Sequence, residues 1–289
     1  MRVRWHQWLA GVPPVRRVMP CWVDGSPADS LSVKDRGLAY GDGLFETVAV
    51  RAGQPVLLER HLQRLERGCQ QLKITIDPVQ VRAEMTRFAA ELGEGVMKLL
   101  ITRGDSQRGY APAPDTHPRR ILQGSPAPAY PAAHAEQGVH LFACQTRLAE
   151  QPLLAGLKHL NRLEQVLARS EWSNSDHAEG LMRDTSGRLI EGVYSNLFLV
   201  THGRLLTADL SRCGVAGVMR AELLDQALAL GMAVDIRDVH LSDLEAADEV
   251  FLCNSVYGVW PVRGFAALNW PVGPLTRKLQ GIARALLDI

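Results

Sequence analysis

The chain has 289 residues, of which 46% are hydrophobic and 22% are charged, a composition typical of a globular protein with room for two lobes. Thirty-two basic and thirty-one acidic residues give a formal charge of +1. This balance disfavours the strongly basic surfaces that bind nucleic acid or anionic membranes. We therefore expect small-molecule ligands, with neither a nucleic acid nor a membrane as partner.

The cysteines are odd in number, scattered, and free of any CxxC pairing. They are Cys21, Cys69, Cys144, Cys213 and Cys253. This spacing argues against a disulfide framework and against a structural zinc site, and it predicts a reducing cytoplasm. Since no run of about eighteen apolar residues occurs, we expect no membrane-spanning helix.

Residues 1–18 begin with basic residues, and their short apolar stretch ends in Pro-Pro and Arg-Arg rather than at a small-residue cleavage site. We interpret them as an extension outside the core, with Met19 as a candidate alternative start.

A small N-terminal lobe is predicted over residues 19–122. "CWVDG" and "GLFETVAVRAGQPVLLERH" are typical of strands joined by turns at Asp24-Gly25 and Ala52-Gly53. "HLQRLERGCQQL" has helical apolar spacing, and Asp77-Pro78 is typical of the cap and first residue of a second helix. The strand "VMKLLITRG" follows.

Residues 123–138 are rich in Pro and Ala and lack apolar periodicity, which predicts a linker between lobes. A larger C-terminal lobe is then predicted over residues 139–289. It begins with the strand "VHLFACQTR", continues through short strands and a helix at about 218–230, and closes with the helix "LTRKLQGIARALLDI". This order of elements indicates an α+β fold.

Lys158 lies in "GLKHLNRLEQ", at the start of a predicted helix. Most lysines are solvated surface charges. Here, however, Gly156 allows close backbone approach, and Leu157 and Leu160 are apolar neighbours that would favour a neutral amine. Such an amine could form a Schiff base with a carbonyl or with pyridoxal, so both interpretations stay open.

The segment "RCGVAGVMRAELL", residues 212–224, places glycines before a strongly periodic helix. Gly217, Val218 and Met219 would offer unpaired N–H groups at a helix N-terminus, which favours a phosphate. A glycine before a helix is also common without any ligand, so an ordinary helix start is the alternative.

Two further segments carry charges that need partners. Glu191 interrupts the apolar segment "LIEGVYSNLFLV" and needs a cation, either a pyridinium nitrogen or an arginine in an ordinary buried salt bridge. In "ITRGDSQRGYAP", the residues Arg103, Arg108 and Tyr110 suit an acidic substrate, although a solvated basic loop is equally consistent. No HExxH, Walker or dinucleotide motif occurs, so we expect no metal and no nucleotide.

Seven motifs in one order resemble the fold type IV pyridoxal-phosphate enzymes, and within them the aminodeoxychorismate lyases. They are "DRGLAYGDGLFET", "ERHLQRL", "TRGDSQRGY", "GLKHLNRLEQVLAR", "EGVYSNLF", "GVAGVMR" and "CNSVYGVWPV". The resemblance implies a small N-terminal α/β lobe and a larger C-terminal lobe with a β-barrel-like core. It also implies a pyridoxal 5′-phosphate cofactor and a homodimer.

The resemblance further implies roles for individual residues. Lys158 would attach the cofactor and move the proton, and Glu191 would pair with the pyridinium nitrogen. Arg64, with Gly217 and the backbone of Val218 and Met219, would hold the phosphate. The other implied cofactor contacts are Ser195, Asn196, Asn254 and Ser255, and the implied substrate contacts are Arg108, Tyr110 and His159.

The implied reaction converts 4-amino-4-deoxychorismate to 4-aminobenzoate and pyruvate, in folate biosynthesis. D-amino acid and branched-chain aminotransferases share the fold and remain the alternative, as does a non-catalytic ligand-binding protein. His159, Arg162, Arg108 and Tyr110 take the lyase form. The extension and Glu46, where some members have threonine, depart from the family pattern, and Glu46 leaves the substrate side open.

Overall fold

The computed structural model describes residues 19–288, so the predicted extension at residues 1–18 lies outside the described residues. The first lobe contains a six-stranded antiparallel sheet in the order β2-β1-β6-β5-β3-β4. Its strands are β1 (Cys21–Val23), β2 (Ser26–Pro27), β3 (Gly43–Arg51), β4 (Gln54–Pro55), β5 (Gly95–Thr102) and β6 (Arg119–Ser125). Its helices are α1 (Arg36–Tyr40), α2 (Leu58–Leu72) and α3 (Pro78–Leu92).

Local sequence features explain several of these boundaries. Asp24 and Ala52 have positive φ values and each precedes a glycine with positive φ, as the tight turns of twisted hairpins require. The predicted cap of α3 is confirmed, because the Asp77 carboxylate accepts the Val79 N–H at 2.9 Å. The helices α2 and α3 bury their apolar faces against the sheet, around the fully buried Phe88.

The second lobe contains nine strands and five helices within residues 19–288. The strands are β7 (Val139–Leu148), β8 (Glu179–Asp184), β9 (Leu189–Gly192), β10 (Asn196–Thr201), β11 (Arg204–Ala208), β12 (Val234–Arg237), β13 (Glu249–Asn254), β14 (Gly258–Phe265) and β15 (Leu268–Asn269). The helices are α4 (Ala132–Glu136), α5 (Leu163–Arg169), α6 (Val218–Ala229), α7 (Leu241–Glu245) and α8 (Pro274–Leu287).

Six of these strands close into a barrel in the order β10-β13-β14-β7-β8-β9. The ring closes where β9 returns to β10, and the registered pair at that seam is Glu191 opposite Asn196. A barrel of this kind leaves no free edge between its first and last strands. The expected α+β fold with a β-barrel-like core in the C-terminal lobe is confirmed.

The predicted linker at 123–138 contains the last residues of β6 and the short helix α4. The division into lobes at these residues stays a prediction. The predicted helix around Lys158 begins later than expected, since α5 starts at Leu163. Lys158 instead belongs to an extended segment.

Residues 156–160, which we call the strap, join the two lobes by backbone hydrogen bonds. In the first lobe, the Phe45 N–H donates to the carbonyl of Lys158 at 2.9 Å. In the second, the Gly156 N–H donates to the carbonyl of Gly214 at 2.9 Å. Gly156 has a φ of +77°, which favours glycine at this bend. The strap therefore fixes the backbone of Lys158 against both lobes.

Candidate active site

A cavity of about 640 Å³ lies between the two lobes, beside the strap. All ten residues predicted to bind the cofactor line this interlobe cavity, from Arg64 in α2 to Ser255 after β13. Concave sites of this volume, with a few convergent polar groups, are typical of small-molecule binding. The structure thus brings together residues that are up to about 190 positions apart in the sequence.

The Lys158 side chain projects into this cavity beside the ring of Phe45, with Nζ 4.4 Å from the ring centroid. Burial, and next the positive charge of Arg64, lower the pKa of this amine from 10.5 to about 7. A substantial fraction of the amine is therefore neutral near pH 7, and a neutral amine is the nucleophilic form.

Glu46 lies on the opposite face of β3 from the cavity. Phe45 and Thr47 line the cavity, and because strand side chains alternate, Glu46 points into α2. There its carboxylate accepts hydrogen bonds from both Arg64, Nε at 2.8 Å, and His61, Nδ1 at 2.6 Å. Burial alone would raise the pKa of Glu46, but Arg64 and His61 hold it at about 2. Glu46 thus fixes Arg64 beside the cavity.

Glu191 is a buried carboxylate, 3% exposed, at the barrel seam. Its Oε2 accepts the Val215 N–H at 2.8 Å and the Asn196 amide at 3.4 Å. Among residues 19–288, no side chain forms a salt bridge with it, so the alternative of an arginine partner is not supported. Burial raises the pKa of Glu191 to about 7. A bound cation such as a protonated pyridine nitrogen would compensate this charge.

This raised pKa predicts how stability depends on pH in the cofactor-free protein. The pKa of Glu191 is about 4.5 in the unfolded chain and about 7 in the folded protein. Between these two pH values, the folded state keeps a proton on Glu191 that the unfolded state has lost. The contribution of Glu191 to the free energy of unfolding therefore falls as the pH rises through this window, by an amount of the order of 3 kcal/mol.

Urea denaturation of the cofactor-free wild type and of Glu191→Gln would isolate this contribution. We expect the difference in unfolding free energy, wild type minus variant, to decrease from pH 4.5 to pH 8. A difference that stays constant over this range would contradict the raised pKa.

The N-terminus of α6 closes another side of the cavity. The helix begins at Val218 after Gly217, and no side chain caps it. A Cβ at Gly217 would lie only 2.0 Å from Oδ1 of Asn196, so this close approach requires glycine. Nearby, Arg64 donates to the carbonyl of Ala216 at 3.1 Å. Uncapped N–H groups, the helix dipole and a guanidinium together form a site that suits a phosphate.

These features fit pyridoxal phosphate: an amine, a site that suits a phosphate and a buried carboxylate without a salt-bridge partner face one cavity. Lys158 would hold the aldehyde, α6 and Arg64 the phosphate, and Glu191 the ring nitrogen.

Asn254 and Ser255 are engaged with neighbouring backbone. The Asn254 amide oxygen accepts the N–H groups of Val256 and Tyr257, both at 2.9 Å. The Ser255 hydroxyl donates to the carbonyl of Thr47 at 2.9 Å. Both side chains hold the turn after β13 at the cavity wall, and their direct contact with a cofactor stays a prediction.

Glu179 is a residue that sequence reasoning did not select. Its fully buried carboxylate accepts the Gly180 N–H at 2.9 Å, the Val193 N–H at 3.1 Å and the Ser195 hydroxyl at 2.8 Å. It therefore fixes the turn that carries Ser195 on the cavity wall. In the sequence, Glu179 is only the first residue of a strand, and nothing nearby indicates its partners.

The three predicted substrate contacts do not line the interlobe cavity of their own chain. Arg108 and Tyr110 lie on an exposed loop, with Tyr110 86% exposed. The Arg36 guanidinium stabilises this loop by donating hydrogen bonds to the carbonyls of Gly109 at 2.9 Å and Tyr110 at 2.7 Å. His159 is part of the strap, and burial, then Arg162, lower its pKa to about 4. Their role stays a prediction.

Over residues 19–288, no group of three or more His, Cys, Asp or Glu side chains is arranged to hold a metal ion. Over the same residues, no helix combines the length and apolar character needed to cross a membrane.

Residues 43–265 match the model of the class IV amino-transferase family. This chain belongs to that family. Enzymes of the family use pyridoxal phosphate, in agreement with the site described above. The family match covers both lobes, including the strap and the barrel seam.

Individual members of the family are similar over nearly the whole chain. The crystal structure of 4-amino-4-deoxychorismate lyase from Pseudomonas aeruginosa is 65% identical, with a TM-score of 0.92 over 93% of this chain and 100% of that one. An aminodeoxychorismate lyase from Vibrio harveyi is 38% identical over 90% of this chain and 98% of that protein. A branched-chain amino acid aminotransferase from Escherichia coli, 24% identical with a TM-score of 0.81 over 93% and 94% of the two chains, shares the fold.

Proposed function

We propose that this chain is an aminodeoxychorismate lyase that uses pyridoxal phosphate to convert 4-amino-4-deoxychorismate to 4-aminobenzoate and pyruvate. The 65% identity to the Pseudomonas aeruginosa lyase over 93% of the chain carries this proposal. The cavity supports it, because it joins a partly neutral amine at Lys158 to an uncompensated carboxylate at Glu191. The product is a precursor for folate biosynthesis.

When bound, pyridoxal phosphate supplies an aldehyde that attaches to amines and a ring that withdraws electrons. Lys158 provides the attachment amine and, once freed by the substrate amine, accepts the proton from the carbon bearing that nitrogen. Glu191, held by the Val215 N–H, would place its carboxylate beside the ring nitrogen and so favour the protonated form of that nitrogen. Arg64 and the start of α6 hold the phosphate.

The enolpyruvyl group leaves from the substrate carbon next to the one that bears the nitrogen. The six-membered ring of the substrate then becomes aromatic, which makes this step strongly favourable. Lys158 returns the proton to the departing fragment, which becomes pyruvate, so atoms and charge balance. The Glu46 carboxylate and the Glu179 carboxylate do not touch the reacting atoms. They position Arg64 and Ser195, respectively.

The direct test supplies chorismate, glutamine and the preceding synthase, and follows 4-aminobenzoate by its fluorescence. We expect formation that depends on this chain and on pyridoxal phosphate, with pyruvate in equal amount. If the chain instead transfers an amino group to 2-oxoglutarate and forms no 4-aminobenzoate, the aminotransferase alternative is correct. A protein that stays colourless with added cofactor would instead be a non-catalytic binding protein.

A homodimer in a reducing cytoplasm is also part of the proposal. The outer face of α5 exposes the apolar side chains Leu163 and Leu167, and Val166 at the edge of the cavity is also exposed, which suits contact with a second copy. All five cysteines are free, which suits a reducing compartment.

Arg108 and Tyr110 reach a substrate only if a second copy brings their loop to the cavity. Arg108→Ala is then expected to raise the KM for the substrate about 10- to 100-fold. At substrate concentrations well below the wild-type KM, co-expression with Lys158→Ala should restore activity to about a quarter of the wild-type value, because half the dimers are mixed and each has one intact site.

The matched control co-expresses Lys158→Ala with Glu191→Gln, whose defects lie in the cavity of the same chain. Mixed dimers of this pair contain no intact site, so we expect no recovery. If Arg108→Ala raises the KM but its mixture with Lys158→Ala shows no recovery, Arg108 acts in its own chain. An unchanged KM in Arg108→Ala alone would show that Arg108 has no role.

A further inference from the structure

The helix α5 presents one face to the interlobe cavity. The residues that line the cavity from this helix and its two ends are Arg162, Gln165, Val166, Arg169 and Ser170. Their spacing of three, four, seven and eight residues is that of one helical face. The two arginines are therefore about two helical turns, or roughly 10 Å, apart along the cavity wall.

Backbone carbonyls and an aromatic ring hold these two guanidinium groups. Arg162 donates through Nε to the carbonyl of His159 at 2.8 Å and through NH2 to that of Leu157 at 3.4 Å. Arg169 donates to the carbonyl of Trp172 at 2.8 Å and stacks over its ring. Both groups are thus oriented before any ligand arrives.

Neither arginine has a carboxylate partner. Within residues 19–288, no carboxylate oxygen forms a salt bridge with Arg162 or Arg169, whereas Arg64, the third arginine of the cavity wall, is paired with Glu46. Two guanidinium groups without a salt-bridge partner on one wall favour anionic ligands, and guanidinium matches the geometry of a carboxylate.

The two arginines lie at different distances from the reactive amine. Arg162 contacts the carbonyl of Leu157, the residue before Lys158, and its charge acts on both Lys158 and Glu191. Arg169 lies two turns farther along α5, where its charge acts on Tyr194. One cation is therefore close to the reaction centre and the other is remote from it.

The substrate of the proposed function has two carboxylates with the same asymmetry. One belongs to the enolpyruvyl group, on the ring carbon next to the carbon that bears the amino nitrogen. The other is attached directly to the ring, across from that nitrogen. We propose that Arg162 binds the enolpyruvyl carboxylate and Arg169 binds the ring carboxylate, so that α5 selects cyclic dicarboxylates. This assignment rests on the proposed function, and contacts from a second copy would add to it.

The test measures the binding of two probes to the cofactor-loaded enzyme by isothermal titration calorimetry. Chorismate carries both carboxylates but a hydroxyl in place of the amine, so it binds without reacting at Lys158. The product 4-aminobenzoate keeps only the ring carboxylate. We expect Arg169→Gln to weaken the binding of both probes about 10- to 100-fold. We expect Arg162→Gln to weaken the binding of chorismate by the same factor and to leave the binding of 4-aminobenzoate unchanged.

The control is Arg67→Gln, which removes the same charge from an exposed position in α2 outside the cavity. We expect it to leave both affinities unchanged, which excludes an effect of net charge. Because Arg162 also holds the strap, Arg162→Lys and the visible absorbance of the attached cofactor are measured in parallel. The lysine variant should recover part of the chorismate affinity, with unchanged absorbance.

The outcomes separate this inference from the proposed function. If the wild type makes 4-aminobenzoate but both variants bind chorismate normally, or if Arg162→Gln weakens the two probes equally, the inference is wrong and the function stands. If the wild type fails to bind chorismate, the inference is also wrong. If the variants show the expected pattern but the wild type makes no 4-aminobenzoate, the dicarboxylate site stands and the function is wrong.

Discussion

Lys158→Ala is expected to lower turnover by at least about 10⁴-fold, because the variant lacks both the attachment amine and the base that moves the proton. Cofactor affinity should fall less, since Arg64, the start of α6 and Glu191 remain. Measurements of 4-aminobenzoate formation and of the visible absorbance of the attached cofactor would check both points.

The matched control is Lys278→Ala, which removes an exposed lysine of α8 far from the cavity wall and should have no effect. Added methylamine is expected to restore part of the activity of Lys158→Ala, because a small amine can occupy the vacated space and accept the proton. A variant that retained wild-type turnover and absorbance would remove Lys158 from its proposed role.

Glu191→Gln is expected to slow turnover about 10²- to 10⁴-fold while leaving the cofactor attached to Lys158. A neutral amide cannot stabilise a protonated ring nitrogen, so the ring withdraws electrons less strongly and proton removal becomes slower. The measurement is kcat with substrate that carries deuterium on the carbon bearing the amine. We expect a larger isotope effect in the variant than in the wild type.

Glu91→Gln on the exposed side of α3 is the corresponding control, since it removes a carboxylate without touching the cavity. Equal kcat values and equal isotope effects for Glu191→Gln and the wild type would count against a pairing of Glu191 with the ring nitrogen. Loss of cofactor from the variant would instead indicate that Glu191 mainly serves to bind the cofactor.

Local chemistry in the sequence was sufficient to predict much of the fold. The cap at Asp77, the turns with positive φ at Asp24 and Ala52, and the apolar face of α6 depend on nearby residues alone. The ten residues predicted to bind the cofactor were selected because a family resemblance fixed their order, and the structure collects them around one cavity.

Other features depend on contacts that sequence spacing does not encode. The barrel closes through one registered pair, Glu191 and Asn196, between short strands. Glu179 acts through the Val193 N–H and the Ser195 hydroxyl, which are more than ten positions away. Arg108 lies on a loop whose direction relative to the cavity is set by Arg36, about seventy residues earlier.

The face of β3 on which Glu46 lies could have been predicted from the sequence. Its departure from the family pattern suggested an uncertain substrate side. Strand alternation, however, puts it on the face opposite Phe45 and Thr47, where it pairs with Arg64. The departure therefore concerns Arg64, which is proposed to bind the phosphate.

The strap has a consequence for how this molecule can move. Because the backbone of residues 156–160 is hydrogen-bonded to both β3 and the loop before α6, a hinge rotation of one lobe against the other would pull Lys158 out of register with Glu191. Such a rotation would also break the strap's hydrogen bonds. We therefore expect ligands to enter and leave through movements of side chains and loops at the cavity rim, while the backbone of Lys158 stays in place.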